Sequence, residues 1–251
     1  MCAIALLTDF GTRDPYVAAM KGVIASRTNA PVIDLTHEIA PFDVLEAAWF
    51  LGTVVSYWPA GTIFVCVVDP GVGTSRRIIA AESEGRLFLA PDNGLLTFVS
   101  LRRIYSVENA SLFLPNGSNT FHGRDRFAPV AAALANGLSI EEVGPRIDRI
   151  ITLDYEPPSY GQDIAAGTVV AIDRFGNVIT DIEASRVAFA PIVLRVGEWA
   201  IDRLEINYGD AAPGPFLIVG SSGCIEISIA NASAAEELRV NRLQRVELRP
   251  L

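Results

Sequence analysis

FVCVVDPGVGTSR, Phe64 to Arg76, reads as a strand that runs into a loop. Phe64 to Val68 are five consecutive apolar residues, the pattern of a strand buried on both faces. Asp69, Pro70, Gly71 and Gly73 then stop the ladder and open a loop at the strand's carboxyl end. In open α/β sheets that edge is where ligands bind. Asp69 is therefore placed for chemistry, with Arg76 seven residues on. An aspartate that merely caps the turn after a strand would look the same at this range.

Working toward the N-terminus, Ala3 to Leu7 reads as a second strand that also ends among carboxylates, in TDFGTRDP (Thr8 to Pro15). Pro15 starts a helix with Tyr16, Val17, Met20, Val23 and Ile24 on one face, and Asp14 is the expected N-cap. Asp9 lies too far from that helix to cap it and is a candidate functional residue. Pro31 to Leu35 is a third strand. Asp43 is the expected cap of a helix running to about Tyr57, with Leu45, Ala48, Trp49, Gly52 and Val55 at helical spacing. Trp49 is then a core residue, and Phe42 before the cap fits a hydrophobic staple. The order β-α-β-α-β predicts parallel strands with right-handed crossovers.

Beyond Arg76, Ile78 to Glu82 and Arg86 to Ala90 read as two strands around Ser83-Glu84-Gly85. Leu95 to Leu101 reads as a short helix and Arg103 to Val107 as a strand. A polar loop, Leu114 to Thr120, delivers TFHGRD (Thr120 to Asp125) to a helix from about Arg126 to Asn136. His122 is one of two histidines in the chain. Its place at a helix start, which favours a neutral imidazole, makes it a candidate. Pro145 to Gly161 loses apolar periodicity, and the domain boundary is expected there, with an N-terminal α/β domain over 1–156 and a second domain over 157–251. The second domain holds short, closely spaced strands and one short helix near Ala232 to Leu238, the signature of a small β-barrel or sandwich. Asp173 to Asn177 and Gly220 to Gly223 read as hairpin turns.

Composition narrows the function. The 251 residues are half hydrophobic and one-fifth charged, so the chain folds as a globular protein. A net charge of −9 argues against nucleic acid as a partner. No apolar run is long enough to span a bilayer, and the N-terminus reads as a strand, not a signal peptide. Three scattered cysteines, Cys2, Cys66 and Cys224, indicate neither a disulfide framework nor a zinc site, and a reducing cytoplasm is the simplest setting. The loop after Val68 lacks the lysine of a P-loop and the spacing of a dinucleotide fingerprint, and GxSxG is absent. What remains is a carboxylate, a guanidinium and an imidazole, Asp69, Arg76 and His122. Together they could orient a water for a displacement, with Asp9 placed to take the two hydroxyls of a ribose.

Taken together, TDFGTRD, KGVI (Lys21 to Ile24), DLTHEIAPFDVLEAA (Asp34 to Ala48), VVDPGVGTSR, APDNGLL (Ala90 to Leu96), TFHGRDRFAP (Thr120 to Pro129), IDRFGNVITDI (Ile172 to Ile182) and GSSGCIEISIANASAA (Gly220 to Ala235) resemble the S-adenosyl-L-methionine (SAM) hydroxide adenosyltransferases, relatives of the SAM-dependent fluorinase and chlorinase. The resemblance spans nearly the whole chain. It implies a Rossmann-like, mostly parallel N-terminal sheet, a C-terminal β-barrel-like domain, and a homotrimer with SAM held between subunits. The implied reaction is displacement at ribose C5′ by water, forming adenosine and L-methionine, without metal or cofactor. By motif, Asp69, Arg76 and His122 take the water-handling positions. Asp9 takes the ribose diol, Asp14 and Phe42 line the pocket, and Asp173 and Asn177 hold the methionine end and the purine. Tyr208 matches an aromatic that stacks on adenine, and Ser221 and Glu226 fall in a segment that contacts substrate. The halogenating relatives place other residues at Asp69 and at His122-Gly123, so the trio points to hydrolysis. A SAM-dependent halogenase, a non-catalytic adenosine- or SAM-binding module, and a metal-dependent phosphate hydrolase are the rivals.

Overall fold

The apolar run before Asp69 forms the third strand of a six-stranded sheet. The computed structural model describes residues 2–209 and 211–251, and contacts divide the chain into two units that meet between Asp154 and Tyr155. In the first unit the strands are β1 (Ile4–Thr8), β2 (Val32–Thr36), β3 (Ile63–Val67), β4 (Ile78–Ser83), β5 (Arg86–Pro91) and β6 (Arg103–Ser106). The helices are α1 (Tyr16–Ala25), α2 (Val44–Val54) and α3 (Ala128–Ala135). The strand order is β2-β1-β3-β5-β4-β6. β1 pairs in parallel with β2 and β3, and β3 with β5. β4 runs antiparallel to both β5 and β6.

Alternation along β1 divides the core into two layers. Ile4 and Leu6 pack with Met20 and Ile24 of α1 and Val130 and Leu134 of α3. Ala5 and Leu7 face the other way, onto Ala47 and Leu51 of α2. Phe64 of β3 stacks on its β5 neighbour Phe88, with centroids 4.9 Å apart. Each such buried side chain contributes about 1.5–3 kcal/mol by leaving water. The chain steps from β1 to β2 on one side, then returns past β1 to β3 on the other. The carboxyl ends of β1 and β3 thus flank the crevice where strand order reverses. Asp9 follows β1 and Asp69 follows β3.

Local signals succeed and fail for identifiable reasons. Asp43 caps α2, its Oδ1 accepting the Glu46 N–H at 2.8 Å. Asp14 does not cap α1: Pro15 holds the N-cap position with no side-chain bond, and Asp14 is exposed. Leu95 to Leu101 forms successive turns, not a helix. Its N–H groups close tight turns instead, Thr97 onto the Gly94 carbonyl and Val99 onto that of Leu96, and a distant segment pins the stretch, Gly94 bridging to Thr152 and the Thr97 hydroxyl accepting the Leu153 N–H at 2.9 Å. The helical stretch before α3 begins earlier than expected, as a π-turn over Gly123–Phe127.

The second unit contains β7 (Ser159–Tyr160), β8 (Ala165–Ile172), β9 (Val178–Glu183), β10 (Ile192–Val196), β11 (Trp199–Ile201), β12 (Leu204–Glu205), β13 (Pro215–Val219), β14 (Cys224–Ile229), β15 (Arg245–Pro250) and helix α4 (Ala234–Leu238). Its strands follow the path β11-β10-β15-β8-β9-β14-β13-β12, with β7 on β8. The sheet curls as a half-barrel around Val169, Val178, Leu194, Leu217, Ile227 and Leu248. β7, β11 and β12 are too short to leave a periodic signal in sequence. Cys66 and Cys224 are buried free thiols. Among the described residues no helix is long and apolar enough to cross a membrane.

Candidate functional site

The loop after β1 is built around Asp9. Its Oδ2 accepts the backbone N–H of Phe42 at 2.9 Å. Phe42 adopts φ +69°, a left-handed conformation costing a bulky residue about 1–3 kcal/mol. The residue is 71% exposed, so it is not the staple expected from its place before α2. The Asp9 carboxylate and a strained backbone thus hold each other, and Asp9 Oδ1 carries no hydrogen bond from a described residue. Beneath the loop, His37 shares a bond of 2.8 Å with the Thr8 hydroxyl and accepts the Gly11 N–H on its carbonyl at 2.7 Å. His37 Nε2 lies 3.0 Å from Asp34, which Lys21 also pairs.

The loop after β3 brings Asp69, Arg76 and His122 into one chain of contacts. Arg76 Nε donates to Asp69 Oδ1 at 2.9 Å, and Arg76 Nη2 donates to Asp69 Oδ2, a two-pronged pair. The same Nη2 contacts His122 Nδ1 at 3.0 Å. The Arg76 and Asp69 side chains are 9% and 5% exposed, and His122 is 2% exposed. A guanidinium has only donors, so His122 Nδ1 must accept and the proton sits on Nε2. Burial holds the imidazole below its ordinary pKa, with the charges of Arg126 and Arg76 acting the same way against Asp69 and Asp125. Geometry and electrostatics both describe a neutral His122. Its Nε2 is buried without a partner among the described residues, a donor still to be satisfied.

Backbone closeness makes this meeting possible. Gly73 has φ +80°, and a Cβ there would lie 2.6 Å from the Asn119 carbonyl, so the loop of Asp69 and the loop before His122 touch main chain to main chain. Asp9, Asp14, Phe42, Asp69 and His122 line one cavity of about 370 Å³, and Arg76 stands behind its wall. Phe10, Tyr16 and Phe121 complete the wall as a mutually packed aromatic trio with centroids 5.2–6.2 Å apart. Phe10 and Phe121 went unassigned in sequence, though each adjoins a candidate residue, which is the signal they carried; Tyr16, expected on the packed face of α1, is half-exposed and lines the cavity.

The second unit has its own cavity, of about 680 Å³, whose lining includes Asp173, Asn177 and Tyr208. Asp173 serves its own turn, taking the N–H groups of Phe175 and Asn177 at 2.9 Å and the Asn177 side-chain amide at 2.9 Å. Glu226 lies behind Tyr208, whose hydroxyl donates to it at 3.1 Å. Burial pushes the Glu226 carboxyl above its usual range; the Tyr208 hydrogen bond opposes this and the Asp173 charge adds to it. Gly220 is required beside it, since a Cβ would overlap Glu226 Oε1. Ser221 sits in the exposed turn after Gly220 and does not line this cavity. Among the described residues no group of three or more His, Cys, Asp or Glu is placed to hold a metal ion.

Residues 4–144 match the SAM hydroxide adenosyltransferase N-terminal domain, and residues 167–247 match the corresponding C-terminal domain. The chain is 38% identical over 261 residues to the (R)-S-adenosyl-L-methionine hydrolase of Thermus thermophilus, covering 99% of this chain and 100% of that one. The fluorinase of Actinopolyspora mzabensis is more distant, 29% identical over 221 residues and 75% of this chain and 74% of its own. A solved structure of an uncharacterized conserved protein from Thermotoga maritima aligns with TM-score 0.92 at 37% identity, over 98% of this chain and 99% of that one.

Proposed function

The chain belongs to the SAM hydroxide adenosyltransferase family, and from that premise we propose that it hydrolyses S-adenosyl-L-methionine to adenosine and L-methionine. Water attacks ribose C5′ from the side opposite sulfur. The C5′–S bond breaks, its electron pair stays on sulfur as the methionine thioether, and one water proton leaves to solvent. A sulfonium departs as a neutral thioether and needs no acid. The protein's task is to place the water in line and keep the ribose still.

The observation that carries this proposal is the Arg76 fork, which grips Asp69 and His122 at once. Asp69 accepts a hydrogen from the attacking water with a lone pair that Arg76 leaves open. Neutral His122 donates its Nε2–H to the water oxygen and orients it; it is not the base, because its other nitrogen faces a guanidinium. Arg76 aligns both and does not touch the substrate. Asp9 keeps one oxygen on the Phe42 N–H and offers the other to the ribose hydroxyls. The carboxylates of Asp9, Asp14 and Asp69 on one cavity favour a cationic sulfonium over the neutral product. A halide would meet the Asp69 carboxylate, which disfavours the halogenase chemistry of the more distant relatives.

In the second unit, Asp173, Asn177, Tyr208, Ser221 and Glu226 are proposed to hold the methionine end and the purine. Metal-independence and homotrimeric assembly belong to the same proposal and rest on the family resemblance; a cytoplasmic location belongs to it too and rests on the three scattered cysteines. The test is incubation of the protein with SAM in 18O-labelled water, with and without chelator and chloride, followed by mass analysis. Because the relatives are named for the R form, the two sulfonium epimers are assayed separately. Adenosine labelled at the 5′ oxygen, unchanged by chelator, is the expected result. A 5′-chloro product or tight adenosine retention without turnover would overturn it.

A further inference from the structure

β3 and β5 part before the site is reached. Their ladder runs Ile63↔Leu87, Phe64↔Phe88 and Val65↔Leu89 and then ends. On the other side β3 stays paired with β1 as far as Thr8↔Val67. Past Val65, on the β5 side, the end of β3 must find another partner. The Asn93 side chain supplies it, its Nδ2 donating to the Val68 carbonyl at 2.9 Å. That carbonyl belongs to the peptide that leads into Asp69.

Asn93 is itself held. Its N–H donates to the Pro91 carbonyl at 3.0 Å, and its Oδ1 accepts the Leu95 N–H at 3.3 Å. Its neighbour Asp92 is 2% exposed. Asp92 accepts Arg77 Nε at 2.9 Å and the Ile151 N–H at 2.7 Å, and its own N–H donates to the Arg77 carbonyl at 2.9 Å. Arg77 directly follows Arg76. The two residues of one turn therefore grip the 69–76 loop at both ends, Asn93 at its entrance through Val68 and Asp92 at its exit through Arg77. Neither lines the cavity where the proposed chemistry takes place.

We propose that Asn93 is a positioning residue for the reaction: its side-chain amide, by holding the Val68 carbonyl where β5 has diverged, sets the place of Asp69 relative to Arg76 and His122. The proposal rests on the assignment of Asp69 to the attacking water. A displacement of about 1 Å in such a group lowers turnover on the order of 100-fold while leaving the binding contacts in place. Asn93 acts on Asp69 and not on the Asp9 loop, so its loss separates turnover from affinity.

Asn93→Leu keeps the branched shape and removes the donor to Val68 together with the acceptor of the Leu95 N–H; Asn93→Asp removes the donor and keeps that acceptor, and Asn93→Gln keeps the donor. Thr97→Ala is the control. Thr97 ties the same turn to Leu153 without touching Val68, so its loss weakens the segment alone. The expected result for Asn93→Leu and for Asn93→Asp is a kcat lower by about tenfold or more, with KM and the adenosine Kd within about twofold. Asn93→Gln should recover most of kcat, and Thr97→Ala should lower the melting temperature with kcat intact. The side-chain Nε–H resonance of Arg76 reads the pair without turnover, and it should shift in Asn93→Leu and not in Thr97→Ala. If the parent protein does not hydrolyse SAM, the proposed function fails, and the resonance still decides the role of Asn93. An unmoved Arg76 resonance and unchanged kcat in Asn93→Leu would overturn the inference, as would an equal loss of kcat in Thr97→Ala.

Discussion

Arg76→Met takes away the one cation that Asp69 and His122 share. Asp69 loses both prongs of the guanidinium and His122 loses the donor at Nδ1. Both members of the ion pair are more than nine-tenths buried, so water cannot replace what is removed. Breaking a buried pair from one side leaves an uncompensated charge and costs about 3–5 kcal/mol. In a folding unit of this size each kcal/mol lowers the melting temperature by about 2–4 °C, so the first unit should melt roughly 6–20 °C lower. Asp69→Asn with Arg76→Met removes both charges and should be less destabilised than the sum of the two single variants, by about 0.5–3 kcal/mol of coupling. The assay is a thermal melt of the four proteins of the cycle beside SAM turnover and adenosine titration. Turnover should be lost in every variant, and adenosine should still bind, because among the described residues no hydrogen bond or ion pair joins Asp9 to Arg76. A single variant that melts within about 2 °C of the parent, or a cycle that is additive, would refute the account of a desolvated pair; the thresholds follow from the same 2–4 °C scale.

Asp9→Ala should weaken adenosine binding by about 10- to 100-fold, the size of a lost hydrogen bond to a charged group, and calorimetric titration would detect this; unchanged affinity would remove Asp9 from the ribose site. Protonating His122 places a second N–H against the Arg76 guanidinium, so turnover should fall as pH drops below the ordinary imidazole value of about 6.5. Stability has the same sign: the unfolded imidazole takes its proton first, so this contribution is present above about pH 6.5 and is lost as pH falls through the lowered folded value. His122→Asn should lose that acid limb, and a pH–rate profile whose limb survives the change would sink the assignment. His37→Ala removes the imidazole that ties Thr8 to Asp34 while leaving the backbone bond to Gly11, and should raise KM about tenfold with little change in kcat, the pattern of a lost binding contact; steady-state kinetics would show the opposite split if His37 served the water instead.

The order β-α-β-α-β could be read directly from the chain, because buried strands leave unbroken apolar runs and helices leave 3.6-residue periodicity. The Asp43 cap was visible for the same reason, since its bond spans only three residues. Asp14 shows the limit of that logic. A cap-type residue before a helix is necessary for a cap and not sufficient, and here Pro15 stands at the N-cap while Asp14 faces the cavity. Leu95 to Leu101 had helical composition, yet it forms tight turns, pinned at Gly94 and at the Thr97 hydroxyl by residues 152 and 153, more than 50 positions on.

The site divides along the same line. Asp69 and Arg76 are seven residues apart on one loop, so their pairing was within reach of sequence. Arg76 and His122 are 46 residues apart. Their contact depends on the close approach of Gly73 to the Asn119 carbonyl, which no local pattern encodes. The motifs alone were enough to mark the carboxylates at the carboxyl ends of two strands, because strand ends are local events. The left-handed backbone of Phe42 under Asp9, the proton on Nε2 of His122 and the hold of Asn93 on Val68 were decided only by tertiary structure. Each of them is set by which groups meet once water is excluded, and that depends on packing between segments far apart in the chain.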